Sequence, residues 1–123
     1  MKLATGIDLI EIVRVQSAIE RHGEHFLRRV YTERELVECA GKPASLAGRF
    51  AAKEATAKAL GTGIGQVGWL EIEVSADFEN APQLRLSGAA SRRAAELGLN
   101  TWSVSISHTA AHAVALVVAL NEG

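Results

Sequence analysis

The chain of 123 residues has a single cysteine (Cys39), two prolines (Pro43 and Pro82) and only 5% aromatic residues. A lone cysteine closes no intrachain disulfide and excludes the cysteine-rich zinc sites. Long hydrophobic runs are missing too. The longest nearly apolar stretch, His112 to Leu120, is far shorter than the roughly 20 residues a membrane-spanning helix needs. An excess of one charge is also absent: thirteen Lys and Arg against fourteen Asp and Glu give a formal charge of -1, without the basic footprint of a nucleic-acid binder. At the start of the chain, Lys2 is followed by Thr5, Gly6 and Asp8, not by the apolar core of a secretory signal. These absences predict a soluble cytoplasmic protein with neither nucleic acid nor membrane as a partner.

What is present is ordinary for a globular protein, 48% hydrophobic and 22% charged. The length suits one domain, residues 1–123, and a domain this small leaves surface that association between subunits would bury. The near-neutral total hides an asymmetry. Residues 1–62 hold ten basic against eight acidic side chains, and residues 63–123 hold three against six. Five arginines (Arg14, Arg21, Arg28, Arg29, Arg34) fall between positions 14 and 34, beside Glu20, Glu24 and Glu33. Such a run is either a solvated helix face or a surface for an acidic partner.

The pattern predicts a short strand over Lys2–Asp8 with a turn at Asp8. Helices follow over Glu11–Arg21, where Ile12, Val15 and Ile19 repeat at helical spacing, over Glu24–Val30, and over Glu33–Ala40, opened by the capping-box spacing of Thr32 and Glu35. The Ala-rich stretch Ala44–Leu60, stopped by Gly61, is a long central helix. Leu70–Val74 alternates as a half-buried strand, Gln83–Leu86 forms another, and Gly88–Leu97 is a helix ended by Gly98. Thr101–Ser107 alternates again, and Ala113–Leu120 is a continuous apolar strand. Helices early and strands late predict an α+β fold with an antiparallel sheet.

On the central helix Leu46, Phe50, Ala57 and Leu60 form an apolar stripe, with Arg49 and Lys53 on one flank and Glu54 and Lys58 on the other. The opposite face holds only Ser45, Gly48, Ala52, Thr56 and Ala59, which suits close packing instead of solvent. Glu54 and Lys58 are spaced for an i, i+4 ion pair. Asp8, after Thr5-Gly6-Ile7, is either a helix cap or, with Glu54, a source of hard oxygen ligands for Mg²⁺. His108 ends a strand face shared with Trp102, Val104 and Ile106; it is either a core histidine or a phosphate contact, with Thr109 and His112 nearby. Gly61-Thr62-Gly63-Ile64-Gly65 could cradle phosphate through its N–H groups, although it lacks the P-loop Lys-Ser/Thr and follows a helix.

Three blocks occur in order: Gly6-Ile7-Asp8-Leu9-Ile10-Glu11-Ile12, then Arg49-Phe50-Ala51-Ala52-Lys53-Glu54-Ala55 with Lys58-Ala59-Leu60-Gly61, and Ser105-Ile106-Ser107-His108. Together they resemble the short bacterial holo-[acyl-carrier-protein] synthases of the 4′-phosphopantetheinyl transferase superfamily, over about residues 3 to 118. The resemblance implies that family's α+β fold, assembled as a homotrimer with active sites between subunits. It implies transfer of the 4′-phosphopantetheine arm of coenzyme A to a serine of apo acyl carrier protein, in support of fatty acid biosynthesis. It also implies Asp8 and Glu54 as Mg²⁺ ligands, Glu54 as acceptor of the serine proton, and Lys58 as neutraliser of phosphate charge. Arg49 and His108 match nucleotide-contacting positions, Thr109, where the family varies, is grouped with them as cofactor-binding without a catalytic role, and Gly61 and Gly63 match a channel loop. Because the family's protein substrate is acidic, Arg14, Arg21 and Arg28 become its expected docking face. A non-catalytic module binding acyl carrier protein or nucleotide is the alternative, but it has no need of Asp8, Glu54 and Lys58 together.

Overall fold

A computed structural model describes residues 2–122; Met1 and Gly123, the ends of the predicted domain, lie outside the described residues. Strand β1 (Leu3–Glu11) is followed by helices α1 (Ile12–His22), α2 (Glu24–Val30), α3 (Glu33–Cys39) and α4 (Pro43–Ala59). A 3₁₀ turn (Trp69–Glu71) leads into the hairpin β2 (Ile72–Ala76) and β3 (Pro82–Leu86), then α5 (Gly88–Leu97), β4 (Thr101–His108) and β5 (His112–Leu120). The strands form a three-stranded antiparallel sheet, β1-β5-β4, and a separate antiparallel pair, β2-β3.

Two predicted boundaries are corrected. β1 does not turn at Asp8 but runs on to Glu11, because every residue through Glu11 pairs with β5, Asp8 opposite Ala115 and Glu11 opposite His112. Asp8 is therefore a mid-strand residue and caps no helix. The strand predicted from Leu70 begins at Ile72; Leu70 and Glu71 belong to the 3₁₀ turn, whose last residue accepts hydrogen bonds from Gly68 N–H and Ala89 N–H.

Gly48, Ala52 and Ala59 of the predicted small-residue face of α4 lie on the sheet, joined by Ala51 and Ala55, which the helical spacing does not place on that face. Ala51, Ala52, Ala55 and Ala59 are buried with Val104 of β4 and Ala115 and Val117 of β5. The approach is closest at Gly6, where a β-carbon would fall onto the Ala55 carbonyl oxygen, with Ala59 N at 3.0 Å. At Gly48 it would come within 2.8 Å of the Ile106 side chain. Small residues on both partners thus bring a helix backbone against a strand backbone.

The other side of α4 carries a buried ion pair. Lys53, expected on a charged flank, is fully buried and meets the equally buried Glu35 of α3 at 2.7 Å. Lys53 also donates to the carbonyls of Trp69 (2.9 Å) and Ile72 (2.8 Å), while Glu35 accepts from the N–H groups of Thr32 and Val74. Glu35 therefore completes the predicted capping box and ties α3 to β2 and α4. A pair with every polar atom satisfied is tolerated in a core, whereas removing one partner typically costs about 3–5 kcal/mol.

The Gly6 contact gives a direct stability test. Gly6→Ala must push α4 off β1, and overpacking against backbone has no flexible atom to yield. Chemical denaturation should show a loss of about 3 kcal/mol or more; a variant as stable as the parent would contradict the close approach.

Candidate active site

Asp8 sits on the inward row of β1 with Gly6 and Ile10, so the strand that packs against α4 at Gly6 carries its carboxylate to the α4 edge one inward position later. Glu54 and Lys58 leave α4 there, one turn apart. Asp8, Ile10, Arg14, Val15, Ala18, Phe26, Phe50 and Glu54 line a cleft of about 460 Å³, together with Leu9. Its lining combines apolar side chains with two carboxylates and one arginine.

The predicted ion pair between Glu54 and Lys58 does not form. Lys58 crosses to β1 and donates to Asp8 Oδ1 (3.1 Å) and to the Ile7 carbonyl (2.9 Å). The strand offers an acceptor pair where the helix offers one carboxylate. Among the described residues Glu54 has no ion pair or hydrogen-bond partner. Burial first, and then the negative charge of Asp8, push its pKa above the ordinary carboxylate value, with Lys58 acting in the opposite direction.

Such a pair fits a hard divalent cation. Two carboxylates of adjoining elements share one cleft, one is unpartnered, and their mutual repulsion is of the kind that a cation relieves. No group of three or more His, Cys, Asp or Glu suited to a metal exists among the described residues. Any ion held here would draw its other ligands from water and substrate, which is typical of Mg²⁺.

The remaining predicted residues are distributed elsewhere. Arg49, on the opposite flank of α4, is nearly buried and donates to Glu38 Oε1 (2.9 Å) and the Val74 carbonyl (2.6 Å). His108 is exposed at the end of β4, its Nδ1 3.3 Å from the Thr109 carbonyl. The Thr109 hydroxyl accepts from the N–H groups of Ala111 and His112, fixing the β4-β5 turn. None of these three lines the cleft of Asp8 and Glu54.

In the glycine loop, Gly61, Gly63 and Gly65 all take positive φ. Its N–H groups do not face outward as a phosphate cradle would need. Gly61 N–H donates to the Lys58 carbonyl, Thr62 and Gly63 both donate to Ala57, and Gly65 donates to Val67. The loop closes the C-terminal end of α4.

The arginines separate into two kinds. Arg28 is tied to Glu24 and Glu33. Arg14 and Arg21 have no ion pair among the described residues, and both border a groove on the exposed face of α1 with Val13, Ser17, Ala18 and His22. Arg14 also borders the carboxylate cleft. It joins the two surfaces.

The sequence reading missed the cleft's aromatic wall. Phe26 and Phe50, two of only three phenylalanines in the chain, face one another with ring centroids 6.4 Å apart, and Trp69 lies 4.7 Å from Phe50. Their scarcity in an aromatic-poor chain was the available signal. What it could not show was that three distant segments converge.

The sequence profile described as the 4′-phosphopantetheinyl transferase superfamily matches residues 4–117. The chain is 51% identical to the holo-[acyl-carrier-protein] synthase of Herpetosiphon aurantiacus, over 96% of this chain and 98% of the relative. It is 45% identical to that of Moorella thermoacetica, over 98% and 94%. Among solved structures, the Helicobacter pylori holo-[acyl-carrier-protein] synthase in complex with coenzyme A superposes with a TM-score of 0.87 at 38% identity, covering 94% of this chain and 99% of that one. With fold and near full-length similarity in accord, this chain belongs to the 4′-phosphopantetheinyl transferase superfamily.

Proposed function

We propose that this chain is a holo-[acyl-carrier-protein] synthase. It transfers the 4′-phosphopantetheine group of coenzyme A to a serine of apo acyl carrier protein and releases adenosine 3′,5′-bisphosphate. The observation that carries this reading is the unpartnered, partly desolvated Glu54 beside Asp8, in a cleft whose rim continues through Arg14 onto a free basic helix face.

In the reaction the serine oxygen forms a bond to the β-phosphorus of coenzyme A, and the bond from that phosphorus to the bridging oxygen breaks. The bisphosphate leaves with the electron pair. Glu54 accepts the serine proton, a role helped by a pKa that burial first, and then Asp8, raise above the ordinary carboxylate value. Lys58 leans over Asp8 on a half-exposed side chain, within reach of phosphate oxygens, and neutralises charge on the pyrophosphate and the leaving group. Asp8 and Glu54 would hold Mg²⁺, which would supply electrostatic stabilisation of the pyrophosphate when bound.

Arg49, His108 and Thr109 contact the nucleotide, with Arg49 and His108 supplied by different subunits, and Gly61 and Gly63 shape the channel end of α4. Support for assembly comes from the outer sheet face, where Leu3, Ile7 and Leu9 of β1 and Leu116 of β5 are 44–65% exposed. A patch of that kind marks an interface, and a homotrimer buries it while bringing nucleotide contacts to each cleft. The acidic carrier docks along α1, meeting Arg14 and Arg21 first; Arg28 contributes less because its charge is already paired. The enzyme works in the cytoplasm, in support of fatty acid biosynthesis, where apo carrier and coenzyme A meet. No helix of the described residues is long and apolar enough to cross a membrane.

Incubation with apo acyl carrier protein, coenzyme A and Mg²⁺ should add one phosphopantetheine mass to the carrier, and chelation should stop it. Failure with several bacterial carriers would overturn the assignment. Glu54→Gln should lower kcat by at least about 100-fold yet raise the melting temperature at neutral pH. The sign follows from linkage: a carboxylate whose folded pKa is raised holds its proton more tightly in the folded state, so the fold loses stability as pH rises through that range, and glutamine mimics the protonated form. Arg14→Glu should raise KM for the carrier about tenfold or more without altering KM for coenzyme A, whereas Arg28→Glu should have a smaller effect. Equal effects of the two substitutions would remove the distinction between free and paired arginines.

A further inference from the structure

Strand β2 pairs with β3 on one side only, so the main-chain groups on its other edge need partners. Charged side chains of α3 and α4 supply them. Lys53 donates to the Ile72 carbonyl, Arg49 to the Val74 carbonyl and Arg34 to the Ala76 carbonyl. Between them, Glu35 accepts from Val74 N–H and Glu38 from Ala76 N–H. Arg49 is held here by a single nitrogen. Its Nη1 takes both contacts, 2.9 Å to Glu38 Oε1 and 2.6 Å to the Val74 carbonyl. Its Nε and Nη2 have no hydrogen bond among the described residues, and no buried side-chain nitrogen there lacks a partner, so these two reach solvent. An adjacent pair of guanidinium donors is the fork that meets phosphate oxygens bidentately.

Glu38 ties this arginine down. Its Oε1 accepts from Arg49 and from Ala76 N–H, and its Oε2 accepts from Arg34. Burial tends to raise the Glu38 pKa, but the hydrogen bonds from Ala76 N–H, Arg49 and Arg34 outweigh it and hold it below the ordinary carboxylate value. Two arginines thus share one ionised carboxylate, and the cluster keeps a net positive charge for an anion.

We infer that Glu38 is a positioning residue for the nucleotide: by pinning Nη1 of Arg49, it aims the open Nε and Nη2 side of the guanidinium at a phosphate of coenzyme A. The inference rests on the proposed contact between Arg49 and the nucleotide. A long side chain ordered before the ligand arrives avoids the entropy loss of being ordered by it. Freeing Arg49 should therefore weaken nucleotide binding, while the carrier, which meets α1, is unaffected.

Calorimetric titration of the full-length chain with adenosine 3′,5′-bisphosphate reads the contact without turnover. Glu38→Ala should weaken binding about tenfold and raise KM for coenzyme A to match, with KM for the carrier changed by less than about threefold. Glu38→Gln keeps an oxygen acceptor for Nη1 and should stay within about threefold of the parent. Arg34→Met breaks another tie between α3 and β2 but leaves Arg49 on Glu38, and should not change binding. In an Arg49→Ala background, Glu38→Ala should cause no further loss, because residues acting through one another are not additive. Native affinity in folded Glu38→Ala would overturn the inference, as would an equal loss with Arg49 already removed or in Glu38→Gln. If Glu38→Ala does not fold, ¹⁵N spectra of the native chain decide: the bisphosphate should shift the Arg49 Nε–H signal, and an unmoved signal would overturn the inference. A native chain that transfers nothing would instead overturn the transferase reading itself, so the two failures are told apart.

Discussion

A missing β-carbon at Gly6 lets the backbone of α4 lie against β1, and the placement of Asp8 beside the α4 residues Glu54 and Lys58 follows from that contact. Two residues after Gly6 on the same strand row, Asp8 comes level with the edge of α4 from which Glu54 and Lys58 project. A bulkier residue on either element would widen the gap between carboxylates borne by different elements. The alanines of α4 and β5 extend the same close packing along the helix. The interaction that stabilises the fold is therefore also the one that sets the site.

That packing creates an electrostatic conflict the fold leaves standing. Burial and the nearby Asp8 both disfavour ionised Glu54, and no donor within the described residues compensates it. Elsewhere the same chain satisfies buried charge fully: Glu35 and Lys53 leave no polar atom without a partner. The contrast separates the two carboxylates. Glu35 holds structure together, whereas Glu54 is left without an ion pair or hydrogen-bond partner among the described residues, the kind of perturbed carboxyl that marks a candidate functional group.

Much of this was legible in the sequence. The α+β class, the antiparallel sheet, the long central helix and its close-packed face follow from periodicity and residue size. So does the capping box at Thr32 and Glu35, whose second function as partner of Lys53 was not legible. Helical spacing assigned Lys53 to a charged flank because a wheel cannot show that α3, the 3₁₀ turn and β2 cover that flank. The same limit explains Lys58. Its partner four residues away was visible, while Asp8, fifty residues distant, becomes the nearer acceptor only when β1 is in place. Asp8 looked like the end of a strand because polar residues commonly end strands. Pairing with β5 carries β1 three residues further. The glycine loop suggested a phosphate cradle, and its N–H groups turned out to close α4.

The central claim is that Asp8 and Glu54 form one electrostatically coupled pair, brought together by the Gly6 contact. Site-resolved ¹³C NMR titration of the Glu54 carboxyl in metal-free protein, native and Asp8→Asn, tests it most directly. The account predicts that native Glu54 titrates above the ordinary carboxylate value of about 4.3, and that Asp8→Asn lowers its pKa by removing a neighbouring negative charge. An ordinary pKa in the native chain, or one that Asp8→Asn leaves unmoved, would contradict it.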